Sequence, residues 1–252
     1  MKNMLNKVPQ VTVYFWIIKI LATTVGETAA DFLSVRLNLG LVVTSYVMSA
    51  VFLVALFVQM RSTRYVRGIY WTVVVFISVV GTLISDNLVD NLGISLTTTT
   101  IAFSAILAVV FALWWFSERT LSVHSITTTK REAFYWATIL FTFALGTSAG
   151  DLVSESFHLG YPLSAILFAS AIGASALAYY VLKIDGVLAF WIAYVLTRPL
   201  GASIGDLLSQ PVKAGGLGLG TTLTSLAFLT TIVGLVVYLT YRQKNRVHLV
   251  NA

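Results

Sequence analysis

The sequence predicts an all-α integral membrane protein, with eight transmembrane helices forming four parallel two-helix repeats. The repeats are arranged with pseudo-four-fold symmetry or as two pseudo-two-fold halves. Three observations predict this. Of 252 residues, 58% are hydrophobic and only 10% are charged, and mean hydropathy is +0.87; a soluble domain carries about 25% charged residues. Eight continuous apolar runs each reach the roughly 20 residues that a helix needs to cross a bilayer. One sequence pattern recurs four times and divides those runs into pairs.

The runs lie at approximately 11–34, 39–60, 68–90, 94–116, 133–155, 160–182, 186–208 and 217–241. They are continuously apolar rather than alternating, which excludes a β-barrel. The first run follows Lys2 and Lys7 and contains Ala29-Ala30, features of a cleaved signal peptide. It is too long for that role, and it carries the same pattern as later runs. Cysteine is absent, so neither a disulfide framework nor a thiolate metal site is available.

The recurring pattern is a tryptophan, a glycine ten residues later, and an aspartate five residues after that. It reads Trp16-Gly26-Asp31, Trp71-Gly81-Asp86, Trp136-Gly146-Asp151 and Trp191-Gly201-Asp206. An aromatic residue precedes each of these four Trp: Phe15, Tyr70, Tyr135 and Phe190. The two halves of the chain align at a constant offset of 120 residues, and within each half the offset is 55. The repeats cover approximately 11–60, 68–116, 133–182 and 186–241, within a single membrane domain spanning 1–252. Each repeat has an even number of spans, so every copy enters the membrane in the same direction. The second helix of each pair opens with glycine and small polar residues: Gly40, Gly93, Gly160, and Gly218 with Gly220. Small residues at such positions predict close helix packing.

Four tandem two-span repeats, each with a Trp, resemble a family of bacterial membrane proteins known as a repeat of unknown function. The resemblance covers nearly the whole chain. It implies eight helices and a bacterial inner-membrane location, and it supplies no reaction.

Lysine and arginine set the expected orientation. Lys2, Lys7, Arg61, Arg64, Arg67, Arg119, Lys130, Arg131, Lys183, Arg242, Lys244 and Arg246 lie at one end of the spans, whereas Arg36 and Lys213 lie at the other. Both termini are therefore expected in the cytoplasm. The same asymmetry accounts for the net charge of +6 without a nucleic-acid partner, leaving the bilayer and a cation as the expected partners.

The acidic residues carry the functional signal. Glu118, Glu132 and Asp185 fall in expected cytoplasmic loops. The other seven are Glu27, Asp31, Asp86, Asp90, Asp151, Glu155 and Asp206, all within the repeated segments. The 15 residues from Trp to Asp span about 22 Å of helix, placing Trp near the cytoplasmic interface and Asp toward the outer end. Both then point to broadly the same side. Carboxylates within a span face a bundle interior or a water-filled cavity. Four converging aspartates would form an acidic ring that binds a cation and exchanges it for protons.

This ring, with Glu27 assisting, is the expected cation-binding site and, if the cargo is a metal, the metal site. Carboxylate and hydroxyl ligands favour Mg, Ca or Mn. Asp90 and Glu155 are secondary candidates at the outer surface. Arg198, followed by Pro199 in the seventh span, is expected to pair with a carboxylate such as Glu27. Lys19 is expected to snorkel to the interface.

Trp16, Trp71, Trp136 and Trp191 are expected to anchor the helices at the interface; an alternative is an aromatic cage for an organic cation. A third reading is a structural or sensory membrane protein in which the acidic motif only packs helices. No H-E-x-x-H, G-x-S-x-G or phosphate-loop motif is present, so no enzyme is expected and no cofactor is implied.

Overall fold

The computed structural model describes residues 5–250. Lys2 and the side chains of Lys244, Arg246 and His248 lie outside the described residues. Within the described residues the chain forms eight long helices and no strand. They are α1 (Val13–Asp31), α2 (Gly40–Arg61), α3 (Arg67–Asp86), α4 (Leu96–Glu118), α5 (Thr129–Asp151), α6 (Gly160–Leu177), α7 (Gly186–Ser209) and α8 (Thr221–Val250). All eight are long and apolar enough to cross a membrane.

Side-chain caps fix several starts by satisfying orphan backbone donors. Thr12 accepts from the amide of Phe15, Ser95 from Thr98, Thr128 from Arg131, and Asp185 from Val187 and Leu188. Immediately after the motif aspartate, α1, α3 and α5 widen into a π-helical turn. The amides of Leu37, Leu92 and Phe157 each donate five residues back, to Phe32, Asn87 and Leu152. Helix α7 runs on regularly to Ser209.

The helices form two concentric rings. The inner ring is α1, α3, α5 and α7, each packed against its two neighbours and closing from α7 back to α1. The even helices lie outside. The most apolar stretch of each odd helix is 50–67% buried, against 11–17% for the even helices. Each even helix packs mainly on the odd helix of the next repeat: α2 on α3, α4 on α5, α6 on α7, and α8 on α1. The inner ring thus has four equivalent interfaces, which is the pseudo-four-fold alternative rather than two separable halves.

The motif glycines close this ring. A Cβ on Gly26 would overlap Ser78, one on Gly81 would overlap Phe143, one on Gly146 would overlap Arg198, and one on Gly201 would overlap Thr23. Thr23, Ser78, Phe143 and Arg198 each stand three residues before the motif glycine of their own helix. One contact is therefore used four times around the ring.

The tryptophans interlock in the same sense. Phe15 meets Trp71 with ring centroids 5.7 Å apart, Tyr70 meets Trp136 at 5.6 Å, Tyr135 meets Trp191 at 6.4 Å, and Phe190 meets Trp16 at 5.6 Å. This corrects the expectation of interfacial anchoring. Trp71, Trp136 and Trp191 are at most 5% exposed, because the aromatic pair of each repeat supplies both halves of a helix–helix contact.

The glycines that open the even helices are also corrected. Gly40, Gly93 and Gly160 adopt φ of +73°, +67° and +71°, and nothing lies within 4 Å of a Cβ added at Gly40 or Gly93. They reverse the chain between helices, a left-handed conformation suited to glycine, and do not bring helices together.

We expect Gly81→Ala to destabilise the protein by about 1–3 kcal/mol through overpacking against Phe143. Gly68→Ala, in open space on the same helix, should leave thermal unfolding in detergent unchanged or raise its midpoint.

Candidate functional site

The four positions just after the motif glycines are Glu27, Thr82, Thr147 and Ala202. The side chain of Arg198, projecting from α7, meets three of them. Its Nη2 donates to Glu27 Oε2 at 2.9 Å, to Thr147 Oγ1 at 2.7 Å and to Thr82 Oγ1, while Nη1 donates to the Thr23 carbonyl at 2.8 Å. One guanidinium reaches α1, α3 and α5 together only from the centre of the ring. Arg198 is fully buried and Glu27 is 6% exposed. The pseudo-four-fold axis is therefore closed in mid-bundle by an ion pair.

Local sequence explains how a long cation fits there. Gly146 leaves room for the stem of Arg198, and Pro199 Cδ packs over the same glycine. Proline also removes an amide donor within α7.

One turn beyond this layer, four residues on and on the same helix face, stand Asp31, Asp86, Asp151 and Asp206. They line the end of the ring about 6 Å above the ion pair. Gln210, the residue that ends α7, donates from Nε2 to Asp31 Oδ2 on α1 at 3.3 Å. Asp86 lies within electrostatic reach of Asp31, Asp151 of Asp86, and Asp206 of both Asp151 and Asp31. Glu27 lies within reach of all four.

Gln210 also stands beside Asp206, whereas among the described residues no protein donor bonds the carboxylates of Asp86 or Asp151. Asp90 and Glu155 are exposed at the rim.

The metal expectation needs correction in one respect. Among the described residues no three His, Asp or Glu side chains come close enough to hold one ion. Helices in contact stand 8–10 Å apart, so carboxylates on four separate walls do not form a cage.

On the opposite side of the ion pair is Lys19, eight residues before Glu27. It does not snorkel and is fully buried. Its Nζ donates to Thr197 Oγ1 at 3.3 Å and lies 4.4 Å from the Phe143 ring centroid and 4.2 Å from that of Tyr194. The Phe143 ring also faces Arg198 at 5.6 Å, so one phenyl group separates two cations. Beyond Lys19 the axis is filled by the aromatic layer, where the Tyr70 and Tyr135 hydroxyls stand 2.5 Å apart.

The Trp end holds a feature that sequence reasoning missed. Glu132, expected in a loop, is in the first turn of α5 and is 1% exposed. Lys7 Nζ donates to its Oε2 at 2.6 Å and to the Met60 carbonyl at 3.0 Å, and Gln59 Nε2 donates to its Oε1 at 3.1 Å. The segment before α1 thus reaches the start of α5, the helix opposite α1 in the inner ring. The only advance signal was that Glu132 directly follows Lys130-Arg131 at a helix start, where an acid favours the helix dipole.

The model of the family described as Repeat of Unknown Function (DUF347) matches the chain four times, at residues 14–65, 69–120, 134–185 and 189–245. The chain belongs to this family. No curated protein and no solved structure matches it.

Removing one partner of a buried ion pair costs about 3–5 kcal/mol because the other charge is stranded. We expect Glu27→Gln to lower the unfolding midpoint strongly. The double variant Glu27→Leu with Arg198→Met should recover most of the loss in the same thermal assay.

Proposed function

We propose that this protein is a multi-pass membrane transporter for a cation, with the aspartate vestibule as its entrance and the Arg198–Glu27 pair as its gate. The observation that carries the reading is the axial arrangement itself. Carboxylates from all four repeats line one end of the ring, directly above a sealed ion pair on the same axis. Clefts lined by one sign of charge concentrate ions of the opposite sign. A cation reaching Glu27 competes with Arg198 for its carboxylate, and loss of that contact frees the guanidinium to move off the axis.

The vestibule suits a hard divalent cation of the Mg, Mn or Ca class that keeps part of its hydration shell. Carboxylates on separate walls contact such an ion through its waters, as Mg²⁺ sites commonly do. The organic-cation alternative loses support because Trp71, Trp136 and Trp191 are buried in helix interfaces.

The basic residues at the Trp end support a cytoplasmic location for that end by the positive-inside rule, which turns the aspartates outward. In a bacterium this is the inner membrane.

The test is divalent-cation uptake into proteoliposomes, using Mn²⁺ with a fluorescence-quench reporter. Asp31, Asp86, Asp151 and Asp206 replaced together by Asn should reduce uptake at least tenfold while the protein stays folded. Equal uptake by a folded quadruple variant and the parent would refute the reading. A parent protein that moves and binds no cation would leave the acidic motif as helix packing alone.

A further inference from the structure

The four outer helices do not cover the inner ring alike. Phe52 and Leu56 of α2, Phe111 and Trp114 of α4, and Ile232 and Val236 of α8 pack into the core cluster. Among the described residues, none of α6 does. The gap falls over Trp16. At the corresponding place on α7, Phe111 and Trp114 cover Trp191, with ring centroids 5.1 and 5.8 Å away. The second and third repeats match the family model over 69–120 and 134–185, a constant offset of 65 residues. That offset puts Ala176 where Phe111 stands and Tyr179 where Trp114 stands. Alanine is too short to fill the space. Past Leu177 the helix widens into a π-helical turn over Ala178–Leu182, and Tyr179 is left 42% exposed. Trp16 is accordingly the one motif tryptophan that is only partly buried.

What remains is a cavity of about 910 Å³ between the Trp ends of α1, α6 and α7, outside the inner ring. Sites of this size hold drug-sized molecules. Trp16, Phe190, Tyr179 and Tyr180 supply aromatic walls. Ser175 is also in the lining. It is 7% exposed, and its hydroxyl has no hydrogen-bond partner. A buried serine within a helix commonly bonds the carbonyl one turn back. A hydroxyl left unpaired on a cavity wall is available to a ligand's polar atom.

The charge pattern selects the ligand. Twelve of the basic residues lie at this end of the spans, yet among the described residues no Lys or Arg lines the cavity. Its charged residue is Asp185, beside which stands His124. Asp185 Oδ1 accepts from the amides of Val187 and Leu188, and among the described residues no basic side chain pairs with its carboxylate. A site for an anionic lipid headgroup would show the reverse, a basic lining. A carboxylate next to aromatic faces attracts an organic cation, through charge and through the ring quadrupoles.

We propose that this cavity is a binding site for a lipophilic ammonium, a protonated amine carried on an apolar body. The ammonium pairs with Asp185 at the start of α7. The body lies against Trp16 and Phe190, in the space that Phe111 fills on α4. The site is off the axis, so its occupant is not the cargo of the pathway proposed above, and binding here does not depend on cation flux.

The test is equilibrium binding of monodansylcadaverine, an ammonium on an aromatic body, to the full chain in phosphatidylcholine nanodiscs. The readout is dansyl emission on tryptophan excitation, above that of empty nanodiscs. The parent should give a saturable signal, and the probe acetylated on its amine, and so uncharged, should bind about tenfold more weakly. Asp185→Asn removes the charge and keeps the helix cap, because asparagine caps as well as aspartate. It should weaken binding of the charged probe about tenfold and leave the acetylated probe unchanged. Ala176→Phe restores the missing bulk and should abolish saturable binding without lowering the thermal unfolding midpoint.

A parent with no saturable signal would overturn the proposal. Equal binding of the charged and acetylated probes would overturn it too, marking a crevice for any apolar chain, lipid included. So would an Asp185→Asn protein that binds the charged probe like the parent. Should Ala176→Phe fail to fold, Asp185→Asn and the acetylated probe decide.

Discussion

A guanidinium cannot shed its charge, so placing Arg198 at the centre of an apolar bundle dictates what must surround it. Three other helices answer with oxygen atoms at one level: the Thr23 carbonyl, the Glu27 carboxylate, and the Thr82 and Thr147 hydroxyls. The four-fold repeat makes this possible. The position after the motif glycine faces the axis in every copy, so Glu27, Thr82 and Thr147 reach the same point from three directions. Symmetry is broken at two complementary places. The first repeat supplies the acid and the fourth supplies the base, while the middle repeats keep small hydroxyls. A strictly symmetric ring would hold four acids or four bases at one level and would repel itself.

Two interlocking contacts hold the ring at different heights. At the Trp end, the aromatic residue before each Trp packs on the Trp of the next repeat. In mid-bundle, each glycine receives a side chain of the next helix. Both devices are heterologous: a repeat uses one surface toward the preceding copy and another toward the following copy. Such contacts close into a ring when the rotation per step is right, and four copies close here, with α7 returning to α1. The even helices reinforce the closure by packing on the neighbouring repeat's inner helix. No repeat therefore completes its own core, and the hairpins fold as a set. Close glycine packing serves this purpose in lipid, where apolar surface gains little by leaving the hydrocarbon.

The spans and the repeat were legible because they are properties of composition and fixed spacing, which tertiary structure does not alter. The Arg198–Glu27 pair was legible for a related reason, since both residues break the repeat at positions that the other copies fill with neutral side chains. Other features needed the fold. The tryptophans were read as interfacial because that is where aromatics accumulate in membrane proteins in general. Yet the 15-residue spacing already placed Trp and Asp on one side of the helix, so an inward-facing Asp required an inward-facing Trp. Lys19 was misread in the same way. It lies on the 19–23–27–31 stripe, four residues per step, that carries Thr23, Glu27 and Asp31 along the axis, and that spacing was a better guide than its distance from the end of the span. The Lys7–Glu132 pair joins residues 125 positions apart, and nothing local in either segment marks the other.

Closure of the axis bears directly on whether this bundle is only a scaffold. Glycine contacts and aromatic interlocks already supply four complete interfaces, and a buried ion pair adds little stability over apolar residues of similar size. A scaffold would gain from filling positions 19, 27 and 198 with leucine or methionine. Instead the core keeps the Glu27 carboxylate, a guanidinium held by that carboxylate, two hydroxyls and the Thr23 carbonyl, and a lysine amine with one hydroxyl partner. Above them, the aspartate carboxylates of all four repeats line the one end of the axis that the aromatic layer does not fill. Charges kept where packing does not need them, in line with an acidic entrance, are arranged as a gate would require. On the proposed reading, the cost of holding them in a low-dielectric core is the energy that a passing cation would release.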